Sequence, residues 1–219
     1  GAGCASGEEA YSLAMLLDEE RRRLSSEVEI KIFATDVHPS SIRFAARGLY
    51  PPESLSGVTD ERLATHFFRQ ADGYQVSPEL RRHVVFATHN VIQDAPFTQM
   101  DLVTCRNLLI YLQPAAQRKA LSLFHFALRS GGCLFLGPSE SPGDLGDEFQ
   151  LVDTRWRIYM KRRDFRLPLG SPLDPAPRQE IQAPQPSRQL RQLGHPDADR
   201  GDHSTTSTGG MLVPMPHSN

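Results

Sequence analysis

Residues 1–15, GAGCASGEEAYSLAM, set three glycines and several other small residues ahead of a helical pattern. A glycine-rich turn that opens a helix is how a parallel sheet connects a strand to the helix packed on it. The glycines give the backbone its tight path, and the first helical N–H groups face a ligand. The feature constrains the fold to α/β layering and places a ligand site at its own turn. It also raises a question, because a strand should run into such a turn and this one starts at residue 1.

The following residues alternate in the way the turn demands. Residues 7–23 read as a helix, with Leu13, Leu16, Leu17 and Leu24 at helical spacing. Residues 28–35, VEIKIFAT, read as a strand. Pro39–Arg47 reads as a second helix, started by proline and stopped by Gly48. Residues 49–82 are irregular, with charged helical pieces and a small hairpin around Asp72-Gly73. Strands are expected at 83–88, 101–105, 133–137 and 156–161, and a helix from Pro114 to Arg129 ending at Gly131-Gly132. Strands alternating with helices predict an α/β fold with a mostly parallel sheet.

Near residue 163 the composition changes. Residues 164–219 hold nine of the seventeen prolines, a single aromatic (Phe165) and the polar run Ser204–Gly210. Such a stretch buries too little apolar surface to offset its ordering entropy, so 164–219 is expected to be a disordered tail or linker beside a domain at 1–163. A net charge of −2 gives no basic field for nucleic acid. No apolar run reaches the ~18 residues of a membrane span, and the start lacks the basic-then-apolar pattern of a signal peptide. Cys4, Cys105 and Cys133 are too few and scattered for a disulfide framework and form no C-x-x-C pair, so reduced thiols in a cytoplasmic protein are expected.

Ligands of such sheets sit beyond the carboxyl ends of the strands, and four candidate sites fall there. In the opening turn, Glu8 and Glu9 would repel a phosphate and suit an ammonium or another cation; alternatively, Ser6-x-x-Glu9 has the spacing of a capping box. Asp36 ends the next strand, where an acid can accept both hydroxyls of a ribose, or simply cap the Pro39 helix. Asn90, after FATH, can read an adenine edge with its amide, or be an ordinary loop residue. Arg106 and Asn107 follow the strand DLVTC and precede a turn containing Tyr111. A buried arginine needs a partner, either an ion-paired side chain or an anionic substrate. His83 and His89 have no metal-ligand spacing, and no metal is expected.

Together these segments resemble the CheR-type chemotaxis methyltransferases. The matching pieces are GCASGEEAYSLAM, FATDVHPSSIRFAARGLYP, FATHNV and MDLVTCRNLLIYLQPAAQRKALSLFHFALRSGGCLFLGPSES, in family order over roughly residues 1–162. The resemblance implies a class I methyltransferase, a Rossmann-like sheet, with S-adenosylmethionine as cofactor. It implies methyl transfer to glutamate side chains of chemoreceptors, whose cytoplasmic domain is then the protein substrate. By position, Glu9 would hold the cofactor's amino group, Asp36 the ribose hydroxyls, and Asn90 the adenosine. Arg106 and Asn107 would line the pocket, and Tyr111 would lie near the transferred methyl. Residues 49–82 would be the small antiparallel subdomain that helps dock the receptor. Cys4 and Cys105 are expected to pack as small hydrophobes.

The family also carries a helical N-terminal domain, the central first strand and a Phe-Phe-Arg loop, none of which this chain contains. His66-Phe67-Phe68-Arg69 echoes that loop but lies in the inserted region. The chain is therefore expected to be a piece of a longer protein and, with two strand edges unpaired, to be aggregation-prone with little activity alone. Its tail and GPSES…WRIYMKR segment resemble fusions with methylesterase and sensory domains. The alternatives are a truncated signalling module that keeps the fold without catalysis, and a small-molecule methyltransferase.

Overall fold

In the computed structural model, which describes residues 1–163, the opening turn does meet a strand position, of minimal length. Ala2 bridges Thr35 on one side and Cys105 on the other, parallel to both. Its N–H donates to Thr104 O at 2.8 Å, and the Thr35 N–H donates to Gly1 O at 2.9 Å. The chain then turns into helix α1 (Glu8–Arg23).

Two groups of strands flank that bridge. On one side, β1 (Ile32–Asp36) pairs in parallel with β5 (Val84–Thr88), Ile32 opposite Val84 and Asp36 opposite Thr88. On the other, β6 (Met100–Cys105) runs parallel to β7 (Leu128–Leu136). β9 (Ile158–Lys161) and β8 (Phe149–Asp153) continue the order antiparallel as β6-β7-β9-β8. Between these strands come α2 (Pro39–Arg47), α4 (Pro78–Arg81) and α5 (Pro114–Ala127). The inserted region is a small antiparallel sheet, β2 (Leu49–Tyr50), β4 (Gly73–Val76) and β3 (Phe67–Gln70) in the order β2-β4-β3, with α3 (Asp60–His66) ahead of it. The two-residue loop Ala71-Asp72 joins β3 to β4 and realises the expected hairpin.

Apolar packing divides at the same bridge. Val103, Cys105, Leu121, Phe124, Leu134, Leu136 and Phe149 close one core around α5. Tyr11, Met15, Ala34, Tyr50, Leu80 and Val84 close the other around α1 and the inserted sheet. Between them, where β1 and β6 face each other beyond Gly1, runs an apolar groove of about 470 Å³.

That groove explains two departures from the sequence reading. The strand expected at 28–35 begins only at Ile32, because residues 28–31 lie along the groove with no neighbouring strand to pair with. Of the leucine stripe of α1, only Leu13 packs against the core. The helix's buried residues are Ala10, Tyr11, Ala14, Met15 and Asp18, while Leu13 and Leu17 face the groove and Leu16 and Leu24 are exposed.

Smaller differences have local causes. Helix α5 stops at Ala127 and β7 starts at once, running through Gly131-Gly132, because Leu128 already pairs with Met100 and the glycines absorb a register shift. The closing strand begins at Ile158 rather than Trp156. Residues 154–157 form the turn from β8, a strand the sequence reading missed. The expected disordered tail, 164–219, lies outside the described residues. Among the described residues no helix is long and apolar enough to cross a membrane.

Candidate functional site

The bridge brings the carboxyl ends of β1, β5 and β6 to the opening turn, so the predicted site residues share one end of the sheet. The turn is held by specific contacts. Gly7, at φ 92°, is the residue from which α1 starts, and a Cβ there would lie 2.7 Å from Ala45 Cβ. The Tyr50 hydroxyl donates to Ser6 O at 2.7 Å, tying the inserted sheet to the turn. The Ser6–Glu9 capping box does not form. Gly7, not Ser6, occupies the cap, and the Ser6 hydroxyl instead donates to Glu8 Oε2 at 2.5 Å. Glu9 is thereby left for other work.

Asp36 is buried at the end of β1, with each carboxylate oxygen accepting one backbone N–H: Ala5 N at 3.0 Å and His38 N at 3.0 Å. The helix-capping reading is thus realised in part, since His38 is the residue before α2. An ionised carboxylate has about four acceptor positions, so a pair of hydroxyls can still be taken. The Ala5 contact forces a non-glycine residue to φ 44°, a strained value for alanine.

Arg106 leaves β6 and crosses to α1. Its Nη1 lies 3.4 Å from Glu9 Oε2, with both side chains about one-third exposed (32% each). Its Cζ sits 4.8 Å from the centre of the Phe135 ring. Its Nε is buried without a hydrogen-bond partner. Of the two partners open to Arg106, the ion-paired side chain is present as Glu9, and the buried Nε donor remains unspent.

Asn107 is exposed at φ 57°. Its N–H, with those of Leu108 and Leu109, donates to the carboxylate of Glu140 at 3.1, 2.9 and 2.8 Å. Gly137 N adds a fourth bond at 2.7 Å. Glu140, only 5% exposed, was missed in the sequence. An acid in a small-residue turn directly after a buried strand, GPSES, was the available signal.

Asn90 stands on the loop after β5. Its Oδ1 accepts from Ile92 N at 3.0 Å, so the ordinary loop role is filled and its amide NH2 is the part left to meet a ligand. Tyr111 is 79% exposed, at the end of the short turn Leu109–Tyr111 that follows β6. Cys4 and Cys105 are buried, as expected. Burial pushes the Cys4 thiol up to about 11 and raises Cys105 as well, so neither is a ready nucleophile. Among the described residues no three His, Cys, Asp or Glu side chains form a metal cluster.

An acid and an arginine paired across a glycine turn, a second acid at the neighbouring strand end and a buried arginine N–H without a partner lie together at these strand ends. The sequence model of the CheR methyltransferase SAM-binding domain matches residues 1–158. The chain belongs to this family. S-adenosylmethionine is the cofactor of the matched region, and the sheet is that of an S-adenosylmethionine-dependent methyltransferase. Similar proteins include an uncharacterised 104.1 kDa protein of Rhodobacter capsulatus, 45% identical over 77% of this chain and 18% of its own length. A chemotaxis protein methyltransferase of Listeria monocytogenes is 35% identical over 66% of this chain and 55% of its length. Chemotaxis protein methyltransferase 1 of Pseudomonas aeruginosa is 37% identical over 69% and 57%. The chain thus spans little more than half the length of the chemotaxis methyltransferases it matches.

Proposed function

We propose that this chain is the cofactor-binding part of an enzyme that methylates glutamate side chains of chemoreceptors. The observation that carries this reading is the Arg106–Glu9 pair with its unpartnered Arg106 Nε, set at the same strand ends as Asp36. The two charges that pair here match the two ends of an amino acid: Glu9 suits an ammonium and Arg106 a carboxylate. Asp36 would take the ribose hydroxyls and the Asn90 amide the adenine edge. Asn107 would help to line the pocket.

When bound, S-adenosylmethionine supplies a methyl group on a sulfonium, which an ionised carboxylate can accept directly. A glutamate has a reference pKa near ~4.3, so at neutral pH it needs no base. The chain's task is to hold two reactants in line and exclude water. Negative charge is lost as the ester forms, so a strong cation on the substrate carboxylate would oppose the reaction. Arg106 is assigned to the cofactor carboxylate, and Tyr111, largely exposed, offers the substrate a neutral hydroxyl for positioning. The receptor is the proposed partner, met with the help of the inserted sheet, and the cytoplasm is the proposed setting.

The test is transfer of tritium from labelled S-adenosylmethionine to protein in receptor-containing membranes, read as base-labile label. Slow but measurable labelling is expected, reduced by about tenfold or more in Arg106→Ala. Cofactor binding without any base-labile protein label would instead assign the chain to the non-catalytic module.

A further inference from the structure

We propose that Glu140 is a positioning residue of the site, fixing the turn that carries Arg106 and Tyr111; this rests on the cofactor reading above. After β6 the chain must reverse while burying its backbone. Three consecutive N–H groups, from Asn107, Leu108 and Leu109, point the same way and have no helical acceptor, since they precede or open a short 3-10 turn at Leu109–Tyr111. One buried carboxylate from the next strand-end turn gathers all three and adds Gly137 N. Oε1 serves Leu108 and Leu109, and Oε2 serves Asn107 and Gly137. The acceptors of one group thereby set the angle at which the chain leaves β6, and with it whether the Arg106 guanidinium reaches Glu9.

A second observation ties residue 137 to the same device. A Cβ on Gly137 would lie 2.6 Å from Glu140 Oε2 and 2.9 Å from Asn107 N. The carboxylate and the Asn107 amide occupy the space a side chain would need, so this position excludes even alanine while Glu140 keeps its place. Asn107 at φ 57° is held in the left-handed region by the same clamp.

Glu140→Gln tests the idea with little change of shape, because it replaces one of the two acceptor oxygens by a donor facing N–H groups. Two probes separate positioning from general damage. S-adenosylhomocysteine carries the amino-acid group that Arg106 and Glu9 would hold; 5′-methylthioadenosine lacks it and keeps the nucleoside that Asp36 and Asn90 would hold. In Glu140→Gln, binding of S-adenosylhomocysteine should weaken by about tenfold while 5′-methylthioadenosine binding is unchanged. Gly137→Ala, which displaces the same carboxylate without altering it, should give the same selective loss. If both probes weaken together, or neither does, in variants that keep the wild-type circular dichroism, Glu140 is structural or dispensable and the proposal falls. A wild-type chain that binds neither probe overturns the cofactor reading, and this proposal with it.

Discussion

Asp36 does two jobs, and a substitution can show that both fall on the nucleoside half of the site. Its oxygens fix Ala5 N and His38 N, and the remaining lone pairs are the proposed ribose acceptors. Asp36→Asn keeps the shape and forfeits charge-assisted bonds, each worth about 1.5–3 kcal/mol. S-adenosylhomocysteine and 5′-methylthioadenosine should therefore weaken alike, by roughly tenfold or more, in equilibrium binding. Loss of only the first would place Asp36 outside the ribose subsite. At this scale the acids and the arginine were legible in the sequence because charged residues at strand ends have few structural reasons to be there. What could not be read was how backbone N–H groups are distributed. The sequence offers Ser6 as a cap, but the left-handed Gly7 takes that place and sends the hydroxyl to Glu8. The clamp made by Glu140 could not be read for the same reason, since its partners are main-chain groups 31 to 33 residues away and, at Gly137, three residues away.

Among the elements, α1 joins the site to the inserted region. Its C-terminal half buries Asp18, which binds Arg21 at 2.7 Å and Arg22 at 2.6 Å, with His83 Nε2 at 4.0 Å. Arg62 of α3 reaches Glu19 at 2.7 Å. His66, at the end of α3, is buried beside them. Burial, and then the Arg22 charge, hold its ring below the ordinary histidine range, although Asp18 and Glu19 pull the other way and Arg62 adds to the lowering. The unfolded chain therefore binds this proton at higher pH than the folded one. The stability His66 contributes is complete above its unfolded pKa, near ~6.5, and is lost as pH falls below it. Burial raises Asp18, but the Arg21 hydrogen bond and the Arg22 and Arg21 charges outweigh it and hold it low. Its own loss begins only below about pH 4. The urea midpoint should therefore drop between about pH 7.5 and pH 5.5, and His66→Gln should flatten that slope. An unchanged slope in the variant would remove His66 as the cause. Element types followed from apolar periodicity. The face of α1 did not, because leucine spacing says that a helix has an apolar stripe and not which neighbour the stripe meets.

The described residues form two cores that meet at Ala2 and are separated along the groove between β1 and β6. Neither core spans the groove, so the described region gains less from burial than one continuous core would. The proposed site bridges both halves: Asp36 and Asn90 belong to one side, Arg106 and its positioning residue Glu140 to the other, and Glu9 pairs with Arg106 from α1. A ligand held by Asp36 and Asn90 on one side and Arg106 on the other should stabilise the fold by binding only when the halves are assembled. The alternation of strands and helices foretold this layering, while the mid-sheet place of the opening turn was implied by the family resemblance. The groove's width and lining depend on side chains from α1, β1 and β6 together, which no single segment encodes.

The most direct test is thermal denaturation of the 219-residue chain with increasing S-adenosylhomocysteine. A single site across the strand ends requires the midpoint to climb with the logarithm of ligand concentration. Saturation to a hundredfold over Kd adds about 2.7 kcal/mol, roughly 5–10 °C for a domain of this size, and Arg106→Ala should shift the whole curve to higher ligand concentration. A midpoint that ignores the ligand, or a rise that is identical in Arg106→Ala, would contradict a cofactor site built on the Arg106–Glu9 pair.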